Sequence, residues 1–215
     1  MAATPALAGE LRGRGFHNVV LWPRGVDTGQ FHPRTVDLGL PRPVFLCVGR
    51  VVVEKNLEAF LELDLPGSKV IVGDGPARGA LARKFPDAVF LGARQGEALA
   101  QAYAAADVFV FPSKTDTFGL VLLEALASGL PVAAFPVTGP RDVIGMAPVG
   151  ALNEDLRTAC LSALTVSKQA CLAFAAGHTW ENSARAFVEH AGNVRSADPE
   201  ANTVQFTAEQ PGLVA

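Results

Sequence analysis

The sequence predicts an α/β chain: a doubly wound parallel sheet with C-terminal helices. Two observations lead there. The runs at 44–48 and 108–111 are apolar at every position, as strands covered on both faces must be. From residue 43 onward, such runs alternate with helical segments, the rhythm of βαβ units.

Composition limits what the chain can be. At 215 residues, with 49% apolar and 18% charged residues, it suits one sizeable domain with appendages and is not a disordered profile. A net charge of −3 gives no electrostatic case for nucleic acid. The three cysteines, Cys47, Cys160 and Cys171, show no C-x-x-C or Cys/His ligand spacing and read as reduced, packed thiols of a cytoplasmic protein. No run of eighteen apolar residues exists, so no transmembrane segment is expected. The histidines (17, 32, 178 and 190) lie apart, none in a nucleophile setting, and read as surface or packing residues.

Taken in order, residues 1–16 read as the end of a helix and 18–21 as a short strand. A turn at 22–27 and an extended linker closing at Phe31-His32-Pro33 follow. Strands are expected at 44–48, 68–72, 88–91, 108–111 and 131–135, with a last short one at 147–151. Helices are expected at 57–63, 78–85, 97–106 and 120–128, with a loop at 136–140 and a helical turn at 141–144. Acids at 154 and 155 open a helix to about Leu164; a second spans 168–176, and a third is capped by 178–183 and ends near His190. Residues 196–215 are polar without apolar periodicity and read as a disordered tail.

The stretch 109–131 carries the chemistry. Its helix is almost wholly apolar, with Glu124 its one charge, and an unpaired buried carboxylate costs several kcal/mol, so something must satisfy it. A nearby Lys or Arg is the bland answer. The first N–H groups of this helix, near Phe118, Gly119 and Leu120, lack partners within it and favour anionic or hydroxyl-rich ligands. Upstream, Gly49 ends the first strand and permits close backbone approach, and Arg50 and Lys55 can both reach one diphosphate. Alone, such a loop is more often simply solvated. Gly73-Asp74-Gly75-Pro76 is explained by turn chemistry without a ligand.

Asp116 and Glu124, in a D-x7-E spacing around T-F-G and followed by E-A-L-A-S-G-L-P-V, resemble the E-x7-E signature of retaining family-4 glycosyltransferases, also called glycosyl transferases group 1. Asp116 stands where Glu is commoner, so its reach is one methylene shorter. The resemblance implies a Rossmann-like half of a GT-B fold, in which Asp116 meets the hydroxyls of the donor sugar and Glu124 the ribose. It makes G-R…E-K-N the pyrophosphate loop, with Arg50 and Lys55 on the leaving phosphate. It adds Gly49, Gly73, Gly92, Arg94, Thr117, Phe118, Gly119 and Leu120 to the donor site, the 92–94 loop forming part of the base pocket. R-G-V-D…F-H-P resembles the join between acceptor and donor domains, and T-W-E-x-S-A the closing helix.

On that basis residues 1–33 are the end of an N-terminal domain and its linker, 34–177 the nucleotide-sugar donor-binding domain, 178–195 the closing helix and 196–215 the tail. The implied reaction is hexosyl transfer from an NDP-sugar, GDP-mannose or UDP-glucose, to an acceptor hydroxyl with retention. Arg50, Lys55 and Asp116 are the expected catalytic residues, with no cofactor and no metal, since there is no D-x-D pair in a loop. The acceptor domain would be missing, leaving the chain inactive alone; peripheral membrane association of a full enzyme stays open. Two other readings are a nucleotide-sugar binding module without activity and a GT-B-like sugar-nucleotide epimerase. The second needs cleft acid/base groups that the sequence does not offer.

Overall fold

Six strands form one all-parallel sheet in the computed structural model, which describes residues 1–116 and 118–195. They are β1 (Val44–Val48), β2 (Ser68–Val72), β3 (Val89–Gly92), β4 (Val108–Phe111), β5 (Val132–Ala134) and β6 (Gly150–Leu152), in the order β3-β2-β1-β4-β5-β6. The chain winds outward from β1 in one direction and from β4 in the other. A crevice therefore opens at the carboxyl ends of β1 and β4, where the order reverses.

Alternating side chains of each strand feed two cores. Val44, Leu46, Phe109 and Phe111 point to one face, under α4 (Gly96–Ala104), α5 (Leu120–Ala127), α6 (Thr138–Ile144) and α8 (Lys168–Ala176). Phe45, Cys47, Val108 and Val110 point to the other, under α2 (Leu57–Leu61), α3 (Arg78–Lys84) and α7 (Leu156–Ala163). This two-sided burial is why β1 and β4 tolerate no polar residue. Each buried Val, Leu or Phe contributes about 1.5–3 kcal/mol relative to exposure. Helix α5 buries Leu122, Leu123, Ala125, Leu126 and Ala127 between the sheet and α8.

Local chemistry sets several boundaries. Asp155 caps α7 by accepting from the Arg157 amide at 3.1 Å and from Thr158 Oγ1 at 2.6 Å. Ser167 caps α8 through the Ala170 amide. At the start, α1 is limited to Pro5–Gly13 because the Thr4 side chain caps it and Pro5 opens it. Residues 18–21 form no strand; Leu21 makes one isolated bridge to Ala2, which gives a single pairing and no ladder. Helix α6 starts at Thr138, inside the expected loop, because Pro140 in a first turn has no N–H to lose. The last strand lies at Gly150–Leu152 because β5 offers only Val132–Ala134 to pair with. Helix α9 (Trp180–Arg195) extends past His190, and the expected tail at 196–215 lies outside the described residues.

The N-terminal segment wraps the same body. The Ala6 amide donates to Asp142 of α6 at 3.1 Å, and Trp22 Nε1 donates to the Ser183 carbonyl of α9 at 3.1 Å. No described helix is long and apolar enough to cross a membrane by itself.

Candidate functional site

The site begins where β1 ends. Gly49, at φ +153°, carries its amide to the Val72 carbonyl at 3.0 Å, and Val51 donates to the Asp74 carbonyl at 2.9 Å. A Cβ on Gly73 would lie 1.8 Å from the Gly49 carbonyl oxygen, and one on Gly75 2.4 Å from that of Val51. The Gly73-Asp74-Gly75-Pro76 turn is thus the backbone floor on which the Arg50 loop rests. That makes its glycines steric necessities, with Gly73 outside the cavities described below.

The loop then turns through Val53–Lys55 as one 3-10 turn to Asn56, whose φ of +52° is left-handed. Asn56 Nδ2 donates to the Pro112 carbonyl at 3.0 Å, which fastens the β1 loop to the β4 loop. This brings Lys55 to Asp116: Nζ lies 2.5 and 2.6 Å from the two carboxylate oxygens, each side chain about 24% exposed. From the other side, Gly119 (φ +75°) starts α5 with no side-chain cap, leaving the helix's positive end open.

Between these loops lies a cavity of about 400 Å3 lined by Gly49, Arg50, Lys55, Asp116 and the 118–121 start of α5. Arg50 is exposed and, among the described residues, has no ion-pair partner. Thr117 lies outside the described residues.

Glu124 opens instead into a neighbouring cavity of about 350 Å3, bounded by Gln30, Gln95, Gly96, Leu99 and Trp180, with Leu120 on the wall of both. The residues that the resemblance assigns to one donor site are therefore divided between two neighbouring cavities, with Arg50, Lys55 and Asp116 in one and Glu124 in the other. The acid is half-buried rather than buried, and it is satisfied not by a cation but by Tyr103, whose hydroxyl donates to Oε2 at 2.8 Å. Burial raises the Glu124 pKa, and the Tyr103 hydrogen bond partly opposes that rise. Burial also pushes the Tyr103 phenol well above its usual range, and the adjacent carboxylate adds to this. Gly92 and Arg94 line neither compartment; Arg94 is exposed, and its neighbours Gln95 and Gly96 form that wall.

Sequence reasoning passed over three participants. Tyr103 is the only tyrosine, set in an alanine-rich helix, and a buried phenol needs a partner; that was the available signal. Arg24, taken as part of a turn, reaches the first cavity. Ser113, which also lines it, is buried with a hydroxyl that has no hydrogen-bond partner among the described residues. Cys47 lines the cavity too, but burial pushes its thiol up to about 12, so it is a packed group and not a nucleophile. Cys160 and Cys171 are likewise buried and free. Among the described residues no three His, Cys, Asp or Glu side chains group as metal ligands.

The chain resembles known proteins in sequence and in fold. The profile of the glycosyl transferases group 1 family matches residues 42–165, from before β1 to the end of α7. The chain is 44% identical over 138 residues to the sulfoquinovosyl transferase SQD2 of Arabidopsis thaliana, covering 58% of this chain and 27% of that protein. It is 42% identical over 153 residues to a GDP-mannose-dependent alpha-mannosyltransferase of Mycobacterium tuberculosis, covering 67% of this chain and 40% of that one. The chain thus spans less than half the length of either relative. Among solved structures, sucrose-phosphate synthase from Thermosynechococcus elongatus superposes with a TM-score of 0.72 at 26% identity, over 92% of this chain and 58% of that chain. The doubly wound sheet is the Rossmann-like half of a GT-B fold. With the matched residues spanning β1 through β6 and both loops that meet at the Lys55–Asp116 pair, the chain belongs to the glycosyl transferases group 1 family.

Proposed function

We propose that this chain is the nucleotide-sugar-binding part of a retaining hexosyltransferase. The observation that carries the reading is the first cavity, where Arg50, Lys55 and the open end of α5 face one another across the switch point, beside an acid able to hold sugar hydroxyls. The difficult step in glycosyl transfer from an NDP-sugar is departure of a diphosphate that gathers negative charge. Fixed cations and helix amides stabilise that charge with no proton transfer and no metal.

Lys55 and Asp116 neutralise each other across the first cavity. On donor binding, Lys55 would turn to a phosphate and Asp116 to the transferred sugar, so one ion pair is exchanged for two ligand contacts. Glu124 in the adjoining compartment would hold the ribose, and the Gln95–Gly96 wall would meet the base. Two compartments joined at Leu120 suit a ligand with two parts, a nucleoside and a sugar diphosphate.

GDP-mannose is the donor we favour, on the 42% identity to a relative that bears that dependence in its name, with UDP-glucose behind it. Acceptor recognition is assigned to sequence outside this chain, which spans 40% of that relative. A thermal-shift screen of the purified chain against GDP-, UDP- and ADP-sugars tests the reading. Stabilisation by GDP and GDP-mannose is expected; indifference to every nucleotide would remove it.

A further inference from the structure

Arg24 lies in the segment before the first strand, far in sequence from the loops at 50 and 116, yet it lines the same cavity. Its backbone is fixed from both sides by the start of α9. On one side the Ser183 hydroxyl donates to the Pro23 carbonyl at 2.8 Å. On the other, Gly25 presses so closely on α9 that a Cβ there would lie 2.3 Å from the Trp180 amide nitrogen. The next residue, Val26, donates to the His178 carbonyl at 2.8 Å. The side chain is held as well: the Arg24 guanidinium stacks 4.8 Å over the Trp22 ring, and Trp22 itself packs on Phe187 of α9 with ring centroids 5.4 Å apart. Arg24 is a half-buried cation, and among the described residues no carboxylate pairs with it.

Charge balance gives that cation a purpose. Each phosphate of an NDP-sugar carries a negative charge. In the cavity Arg50 and Lys55 carry two positive charges and Asp116 one negative, so wherever Lys55 turns, one phosphate charge has no side-chain counterpart. Arg24 supplies what is lacking. We propose that Arg24 is a third cation of the diphosphate site, positioned by the clamp of residues 22–26 on the start of α9, and that it contacts the donor's phosphates alongside Arg50. This rests on the nucleotide-sugar reading of the cavity. A guanidinium suits the role because it stays charged, stacks on Trp22 and offers a planar fork of donors to phosphate oxygens.

The test is calorimetric titration of the wild-type chain and of Arg24→Ala, Arg24→Lys and Arg50→Ala with GDP and UDP, and with guanosine and uridine as controls. Thermal melts check that each variant folds. Arg24→Ala should weaken the better-bound diphosphate about ten- to hundredfold and leave the matching nucleoside unchanged. Arg24→Lys should recover part of the loss, and the deficit should shrink as salt is raised. If Arg50→Ala weakens the diphosphate and Arg24→Ala does not, the site reading stands and the role of Arg24 falls. Equal loss for diphosphate and nucleoside would make Arg24 a merely structural residue and overturn the proposal. Absence of binding by either diphosphate would take away the site reading and the proposal with it.

Discussion

Lys55 Nζ sits 2.5 and 2.6 Å from the two carboxylate oxygens of Asp116, an ion pair that spans the crevice between the loops after β1 and β4. The two groups best suited to hold opposite ends of a sugar phosphate are thus paired with each other. Asp116→Asn should therefore free Lys55. Affinity for plain GDP or UDP is expected to hold or rise, while any preference for the corresponding NDP-sugar disappears. Paired calorimetric titrations read both; a retained sugar preference would remove Asp116 from the sugar subsite.

Arg50→Ala and Lys55→Ala should each weaken nucleoside diphosphate binding by about 1.5–3 kcal/mol, the range for hydrogen bonds to charged groups. Affinity for the nucleoside should change little. Equal losses for both ligands would speak against a phosphate role for either side chain.

Glu124→Gln should reduce binding of ribonucleotides and leave 2′- and 3′-deoxyribonucleotides nearly unaffected. An unchanged preference places the ribose elsewhere.

The same variant has a signature in stability. Burial raises the Glu124 pKa above the ordinary 4.5. An acid raised on folding holds its proton in the native chain where the unfolded chain has lost it. Stability is therefore full below the unfolded value and falls as pH rises through the folded one. Glu124→Gln removes this loss, so its melting temperature relative to wild type should improve as pH climbs from below 4.5 to neutrality. Tyr103→Phe should act in the opposite sense, costing about 1–3 kcal/mol by leaving the half-buried carboxylate without its donor. Melts across pH for both variants check the two signs.

Gly73→Ala tests the floor of the site. Its Cβ would meet the Gly49 carbonyl oxygen at 1.8 Å, with φ at +144°, so the backbone must shift; a loss of about 3 kcal/mol or more is expected. A variant that melts like wild type would show that the Arg50 loop does not rest on this turn.

The parallel sheet, the two apolar strands at its centre and the helix carrying Glu124 were all legible in the sequence. Each is written in short-range pattern: continuous burial in β1 and β4, the capless glycine start of α5, the acids before α7. The meeting of Lys55 with Asp116 was anticipated only as two separate roles. The pairing depends on Asn56 and Pro112 binding one loop to the other across residues distant in the chain. The Tyr103–Glu124 bond, the division of the cleft at Leu120 and the arrival of Arg24 through the α9 clamp belong to the tertiary structure alone. A local pattern encodes which face a side chain takes. Which distant side chain it then meets is decided by strand order and helix docking, and no window of neighbouring residues contains that.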